Sequence, residues 1–139
     1  MLVRRLPAWS GNTGKRLVRT PKVYVRDSGI VHALLGLRDL DALLGHPVAG
    51  SSWEGLVIEQ LIAAAPQVQA SFYRTSHGAE VDLVLEFKSG ETWVIEIKRP
   101  VGQNFIIPIY RALSRLHDHI LQIPRKLASP VDGHTNPTT

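Results

Sequence analysis

A chain of 139 residues with 44% hydrophobic and 20% charged residues has the make-up of one globular domain with a modest core. It has no cysteine, which excludes disulfides, thiol nucleophiles and thiolate zinc sites, and no apolar run long enough for a transmembrane helix. The net charge of +4 is unevenly spread: residues 1–26 hold Arg4, Arg5, Lys15, Arg16, Arg19, Lys22 and Arg26 and no acid, while residues 27–98 hold four basic and ten acidic residues.

The chain opens Met1-Leu2-Val3-Arg4-Arg5 and passes into Leu6-Pro7. That is not an apolar signal core, so no secretory signal is expected, and a cytoplasmic location without membrane contact follows. Leu2 to Ala8 and Leu17 to Val25 read as two strands of a basic hairpin. Between them Ser10-Gly11-Asn12-Thr13-Gly14-Lys15-Arg16 superficially suggests a phosphate loop. It lacks Gly at the position of Trp9 and Ser or Thr at Arg16, so no ATP site is expected. Trp9 and Tyr24 suit either base stacking or hairpin packing, and packing is the commoner use.

Two short helices come next. Ile30 to Leu35 ends at Gly36, and Leu40, Leu43 and Leu44 belong to a second, ending near Gly45-His46-Pro47. Ser51 to Ala65 predicts a longer helix, capped by Ser51 or Ser52 and closed by Pro66. At about 100° per residue, Val57, Ile58, Leu61, Ala64 and Ala65 form one stripe. Glu54 lies near its middle and Glu59 on the opposite, solvated side.

Phe72 to Thr75 and Ala79 to Asp82 flank the turn Ser76-His77-Gly78. Counting about His77 sets Arg74 opposite Glu80 as an ion pair. Glu80 to Phe87 and Thr92 to Lys98 are both apolar-rich and alternating, and Lys88-Ser89-Gly90 lies between them. A three-residue loop with Gly90 in the left-handed position closes Phe87 against Glu91. Counting outward sets Asp82 opposite Glu96. Alternation then places Val81, Leu83, Leu85, Phe87, Trp93, Ile95 and Ile97 on one face. Asp82, Val84, Glu86, Thr92, Val94, Glu96 and Lys98 take the other. Tyr110, Leu113, Leu116, His117, Ile120 and Leu121 have helical spacing, and a Pro-, Thr- and Ser-rich tail follows from Arg125. None of the six histidines has ligand spacing, His117 and His119 included.

Two opposed carboxylates repel. A hard divalent cation relieves this, because Mg²⁺ takes one or two carboxylates together with water and phosphate oxygens. Lys98 points the same way as Glu96 and suits a scissile phosphate or the attacking water. The plainer reading is a solvated polar face with a neutralising lysine. Glu54 shifts the balance, since an inward glutamate needs a partner, a proton or a metal. Its own plainer readings are a first-turn acid favoured by the helix dipole or a partner of Arg74. A basic arm beside an acidic pocket suits cations for phosphates and carboxylates for metal, or a surface meant for a protein partner.

A helix glutamate, a strand aspartate and E-x-K on the next strand resemble the PD-(D/E)XK, restriction-endonuclease-like superfamily. The ordered set Lys15-Arg16-Leu17, Thr20 to Gly29, Gly50-x-x-Trp53-Glu54, Tyr73-Arg74-Thr75, Gly78-x-Glu80-Val81-Asp82 and Ile95-Glu96-Ile97-Lys98 resembles, more narrowly, the C-terminal domain of a family of prokaryotic AAA+ ATP-binding proteins known as domain of unknown function 4143. The resemblance covers about residues 1 to 99. It implies an α/β, restriction-endonuclease-like fold, a mixed or antiparallel sheet flanked by helices. Glu54, Asp82, Glu96 and Lys98 fall at its catalytic positions, with Mg²⁺ held by Asp82, Glu96 and Glu54.

The chain departs from the family in lacking the ATPase and a full winged-helix region, and in its sequence after Arg99. The resulting organisation is a basic hairpin over 1–26 as a winged-helix remnant, a nuclease-like domain over 27–124 and a disordered tail over 125–139. The expected function is a nucleic-acid-engaging module with Mg²⁺-dependent phosphodiester hydrolysis, its phosphate contacts being Arg4, Arg5, Lys15, Arg16, Arg19, Lys22 and Arg26. The alternative is a non-catalytic domain or truncated remnant that docks on a separate AAA+ ATPase subunit or another protein.

Overall fold

The computed structural model describes residues 1–11 and 16–98 and the backbone of 109–112. Lys15, most of the last predicted helix and the tail from Arg125 lie outside the described residues. Among the described residues two antiparallel sheets carry the fold. One pairs β1 (Val3–Leu6) with β2 (Lys22–Val25), and the other has the order β3 (Gln69–Arg74), β4 (Glu80–Glu86), β5 (Thr92–Ile95), β6 (Ile109–Ala112). Three helices lie between them in the chain: α1 (Ser28–Leu34), α2 (Leu40–Gly45) and α3 (Val48–Ala64). The protein is thus mixed α/β with antiparallel sheets and helices. Among the described residues no helix is long and apolar enough to cross a membrane.

The β4–β5 hairpin takes the register expected from its turn. Leu83 faces Ile95 and Glu86 faces Thr92. The Phe87 amide donates to the Glu91 carbonyl at 2.8 Å, and Gly90 has φ +84°, a conformation that favours glycine. Arg74 and Glu80 pair as expected, in register and through two hydrogen bonds of 3.0 and 2.8 Å.

The β3–β4 pairing holds a feature that alternation does not reveal. Ser71 faces Val84, but Tyr73 faces Val81. Asp82 and Leu83 together therefore oppose Phe72 alone, which is a β-bulge on β4. The extra residue reverses the alternation beyond it. Leu83 and Leu85 pack with Leu6, Tyr24, Val57, Ile58, Phe72, Ile95 and Ile97 beneath α3. Val81 instead joins Tyr73, Val84 and Val94 in a second buried cluster. The expectation that Val81 shares a face with Leu83, and that Val84 and Val94 lie on a solvated one, is corrected on both counts.

The second cluster is buried because distant residues cover it. The segments that leave β1 and enter β2 do not go on pairing with each other as the expected longer strands. They cross to β3, where Ala8 forms a parallel bridge with Phe72 through Trp9 N to Phe72 O at 2.7 Å and Phe72 N to Pro7 O at 3.0 Å. Leu17 bridges Thr75, with Val18 N donating to Arg74 O at 2.9 Å. Trp9 and Leu17 thereby lie against the second cluster. The Trp9 ring sits 6.1 Å from that of Tyr73, so Trp9 is a packing aromatic.

Helix α3 begins at Val48, earlier than the serine caps predict, with Pro47 preceding it and no side-chain cap from Ser51 or Ser52. The His46 ring accepts from the Val48 amide at 3.1 Å instead. Ser52 Oγ lies 2.7 Å from His32 Nε2. The first contact satisfies a helix-end donor that would otherwise be orphaned, and the second ties α1 to α3. Caps by Asp27 and Asp39 start α1 and α2, which bury no residue of their own. Finally, 109–112 is a strand on the edge of β5 where helical spacing from Tyr110 suggests a helix. Pairing satisfies the open backbone edge of β5, a gain that side-chain periodicity does not register.

Candidate functional site: a lysine among three carboxylates

Helix α3 packs on two elements at once, the four-stranded sheet and the β1–β2 hairpin. Its buried arc is therefore wider than one apolar stripe. Gly55 marks the closest approach: a Cβ added there would stand 3.2 Å from Tyr24 Cδ1. The residue that flanks Gly55 on the hairpin side is Glu59, and it is buried, only 8% exposed. This corrects the expectation of a solvated Glu59. Its carboxylate binds the Arg4 guanidinium and accepts from Arg26 Nε at 2.9 Å. Those hydrogen bonds, Arg4 first, hold its pKa below the ordinary glutamate value despite burial.

Glu54, one residue before Gly55, meets the other half of the hairpin. Tyr24 Oη donates to Glu54 Oε1 at 2.5 Å, and Lys22 Nζ donates to the same oxygen at 2.9 Å. The lysine also lies 2.6 Å from Glu80 Oε1 and 3.5 Å from Asp82 Oδ1. Three carboxylates, from α3 and from two positions of β4, thus converge on one ammonium whose side chain is only 15% exposed. Its charge stands over the Phe72 ring, 5.6 Å from the centroid. Burial pulls the lysine pKa down, but the bonds to Glu80 and Glu54 outweigh it and hold the group charged.

Asp82 reaches this pocket because of the bulge, which turns it toward α3. Burial raises its pKa. The hydrogen bond from the Ile97 amide, 2.8 Å to Oδ2, opposes that rise, and the Glu54 charge adds to it. Burial likewise acts upward on Glu80, but Arg74 and then Lys22 bring its pKa below the ordinary value. Tyr24 is pushed well above the usual phenol range by burial and by the Glu54 carboxylate.

Continuing the β4–β5 register one step sets Glu96 across from Asp82. Glu96 lies between Ile95 and Ile97, which both pack beneath α3, and its carboxylate pairs with Lys98 rather than entering the Lys22 pocket. The Lys98 backbone is tied back to α3 through Trp53 Nε1, which donates to its carbonyl at 3.0 Å. Of the sequence-derived site residues, Glu54 and Asp82 therefore come together. Glu96 and Lys98 form a neighbouring pair on the strand end that Asp82 and Trp53 anchor. Tyr24 and Glu80 were not among the expected site residues, and Lys22 was expected at a phosphate rather than among these acids. The signal for Lys22 is its i, i+2 spacing from Tyr24, which puts both on the hairpin face that packs on α3.

The basic arm divides in the same way. Arg4, Lys22 and Arg26, expected at phosphates, are engaged by Glu59 or by the acid pocket. Arg5, Arg16 and Arg19 are exposed.

The donor chemistry of the pocket, three carboxylates, suits a hard cation, and the Lys22 ammonium stands in for one. With the ammonium between them the acids serve a lysine. Among the described residues no group of three or more His, Cys, Asp or Glu side chains is arranged to hold a metal ion.

Fold and site together define an α/β protein with an acid pocket built where a helix meets a bulged antiparallel sheet. The chain belongs to the family described as domain of unknown function DUF4143, whose model matches residues 49–126. A second family model, domain of unknown function DUF8612, matches residues 1–41. Two uncharacterized mycobacterial proteins, from Mycobacterium bovis and Mycobacterium tuberculosis, are each 46% identical over 99 residues, 71% of this chain. The chain spans only 22% of the length of these curated relatives. No solved structure matches.

Proposed function

We propose that the protein is a nuclease-like module of the restriction-endonuclease-like, PD-(D/E)XK kind that engages nucleic acid and hydrolyses phosphodiester bonds with Mg²⁺. The observation that carries this reading is the meeting of Glu54 from α3 and Asp82 from β4 around one cation, beside the strand end that bears Glu96 and Lys98. The residues that would hold the metal are Asp82 and Glu54, with Glu80 in the same pocket and Glu96 on the adjoining strand end. Bound there, it would supply charge stabilisation to the phosphoryl oxygens. Lys98 is the most exposed charge at the site, its side chain 60% exposed, and is placed to meet a phosphate oxygen. Glu96 shares a hydrogen bond with Lys98 and keeps that ammonium oriented. Glu54, held by Tyr24 Oη, presents a fixed acceptor toward a water. The exposed Arg5, Arg16 and Arg19 add phosphate contacts.

The test is cleavage of single- and double-stranded DNA and RNA by the full chain with Mg²⁺ or Mn²⁺. We expect metal-dependent cleavage that Lys98→Ala abolishes. No cleavage of any substrate, or cleavage that survives Lys98→Ala, refutes the hydrolytic reading.

A second reading, a non-catalytic module docking on an AAA+ ATPase subunit, draws on a separate observation. Leu34 and Leu40 on α1 and α2 are 82% and 65% exposed, and neither helix buries a residue of its own.

A further inference from the structure

The ion pairs between the hairpin and the rest of the fold have one direction. Among the described residues, every cation of these pairs comes from the segment matched by one family model and every acid from the segment matched by the other. Arg4 and Arg26 meet Glu59, and Lys22 meets Glu54, Glu80 and Asp82. Lys22 is therefore supplied by the hairpin, whose Leu6 and Tyr24 pack in the same buried core as α3.

The charges at the pocket are also unequal. Arg74 covers Glu80 through a bidentate pair. Glu54 and Asp82 have one cation between them, with a phenol hydrogen bond to the first and a backbone amide to the second. Lys22 Nζ lies within 3.5 Å of oxygens from all three acids. A divalent ion bound to the same oxygens would stand within a few ångströms of the ammonium, where like charges in a partly buried site repel strongly. The two cations exclude each other.

We propose that Lys22 is a tethered cation that competes with divalent metal for the Glu54–Glu80–Asp82 pocket, so that metal enters only as the lysine leaves. This rests on the metal-dependent reading above and adds its control: the hairpin keeps one positive charge among the three acids until the lysine is displaced. The four-carbon stem makes the exchange feasible, since the ammonium can swing out while the backbone of β2 stays paired with β1.

The experiment is calorimetric titration of the full chain with Mn²⁺ and Mg²⁺, without nucleic acid, comparing wild type with Lys22→Met. Methionine keeps most of the stem over Phe72 and removes the charge. We expect Lys22→Met to bind metal at least about ten-fold more tightly than wild type. Equal affinity in the two chains, or no binding in either, overturns the proposal. Lysine-selective NMR of the wild type covers the case in which Lys22→Met fails to fold. The Lys22 ammonium resonance should lose its hydrogen-bonded shift as Mg²⁺ saturates the protein, and an unmoved resonance, whether or not Mg²⁺ binds, also overturns the proposal. Hydrolysis is scored separately. Tighter metal binding by Lys22→Met without cleavage by any chain would reject the hydrolytic reading and leave the competition standing. Metal-dependent cleavage by wild type with unchanged metal affinity in Lys22→Met would do the reverse.

Discussion

Glu59 and Glu54 are five residues apart on one helix and face one hairpin, yet their surroundings are opposites. Around Glu59 two guanidiniums share one carboxylate. Around Lys22 three carboxylates share one ammonium. In the first, both oxygens of the buried acid have fixed guanidinium donors, and the pKa falls accordingly. In the second, burial and the Glu54 charge push Asp82 upward against a single backbone donor and a lysine. A satisfied acid with surplus cations locks an interface. An acid cluster short of cations is poised to exchange its lysine for an ion of higher charge. The first contact holds the hairpin on α3, and the second uses the hairpin as a stopper.

The largest effect expected of this contrast is on stability. Glu59→Ala should destabilise the fold by about 2 kcal/mol, because two arginines lose a buried acceptor although their exposed portions rehydrate. Urea denaturation measures it, and a loss near zero would show that the contact does not lock the hairpin. The pH dependence follows from the same bond. A carboxylate whose pKa is lowered on folding contributes fully above the ordinary glutamate value of 4.5, and the contribution is lost as pH falls through its folded value. Wild type should lose this stability below about pH 4.5. Glu59→Gln should lose it at every pH and show a shallower acid limb. Parallel acid limbs would break the comparison.

A smaller effect separates the pocket. Asp82→Asn should change stability by no more than about 0.5 kcal/mol. Asparagine keeps an acceptor for the Ile97 amide, and the relief of repulsion from Glu54 offsets the weaker bond to Lys22. The same substitution should abolish any rise in melting temperature that millimolar Mg²⁺ or Mn²⁺ gives to wild type, a rise expected by mass action. Differential scanning fluorimetry reads both quantities. A wild-type chain whose melting temperature does not move with metal and nucleic acid present would favour the docking module.

The residues show why some of this was legible and some was not. The β4–β5 register could be read because turn and pattern agree locally: Gly90 supplies the left-handed position and the flanking alternation admits one pairing. Arg74–Glu80 was readable for the same reason. The direction of Asp82 was not, since the bulge exists only in the pairing of β4 with β3, and nothing within Glu80 to Glu86 announces it. The burial of Val84 and Val94 depends on Trp9 and Leu17, far away in the chain. Glu59 was misread because a helical wheel assumes one buried stripe, whereas α3 packs on a sheet and a hairpin together. Tertiary contacts decide these cases, and local periodicity carries no trace of them.

The smallest effect concerns the cations that the hairpin leaves outside. Arg5, Arg16 and Arg19 are exposed, whereas Arg4, Lys22 and Arg26 are occupied by acids. If the basic arm binds nucleic acid, the first three should carry it. Arginine pairs well with phosphate, and each phosphate contact releases counterions, so affinity should fall steeply with salt. Replacing one of the three by alanine should leave stability within about 0.5 kcal/mol of wild type and reduce the salt slope by about one. Arg26→Ala should act the other way, weakening the hold on Glu59 with little change in the slope. Fluorescence anisotropy with labelled DNA and RNA across a salt series distinguishes the two groups. Binding that ignores salt, or that falls equally for Arg5→Ala and Arg26→Ala, would mean that the division between locking and free cations does not govern how the hairpin meets a polyanion.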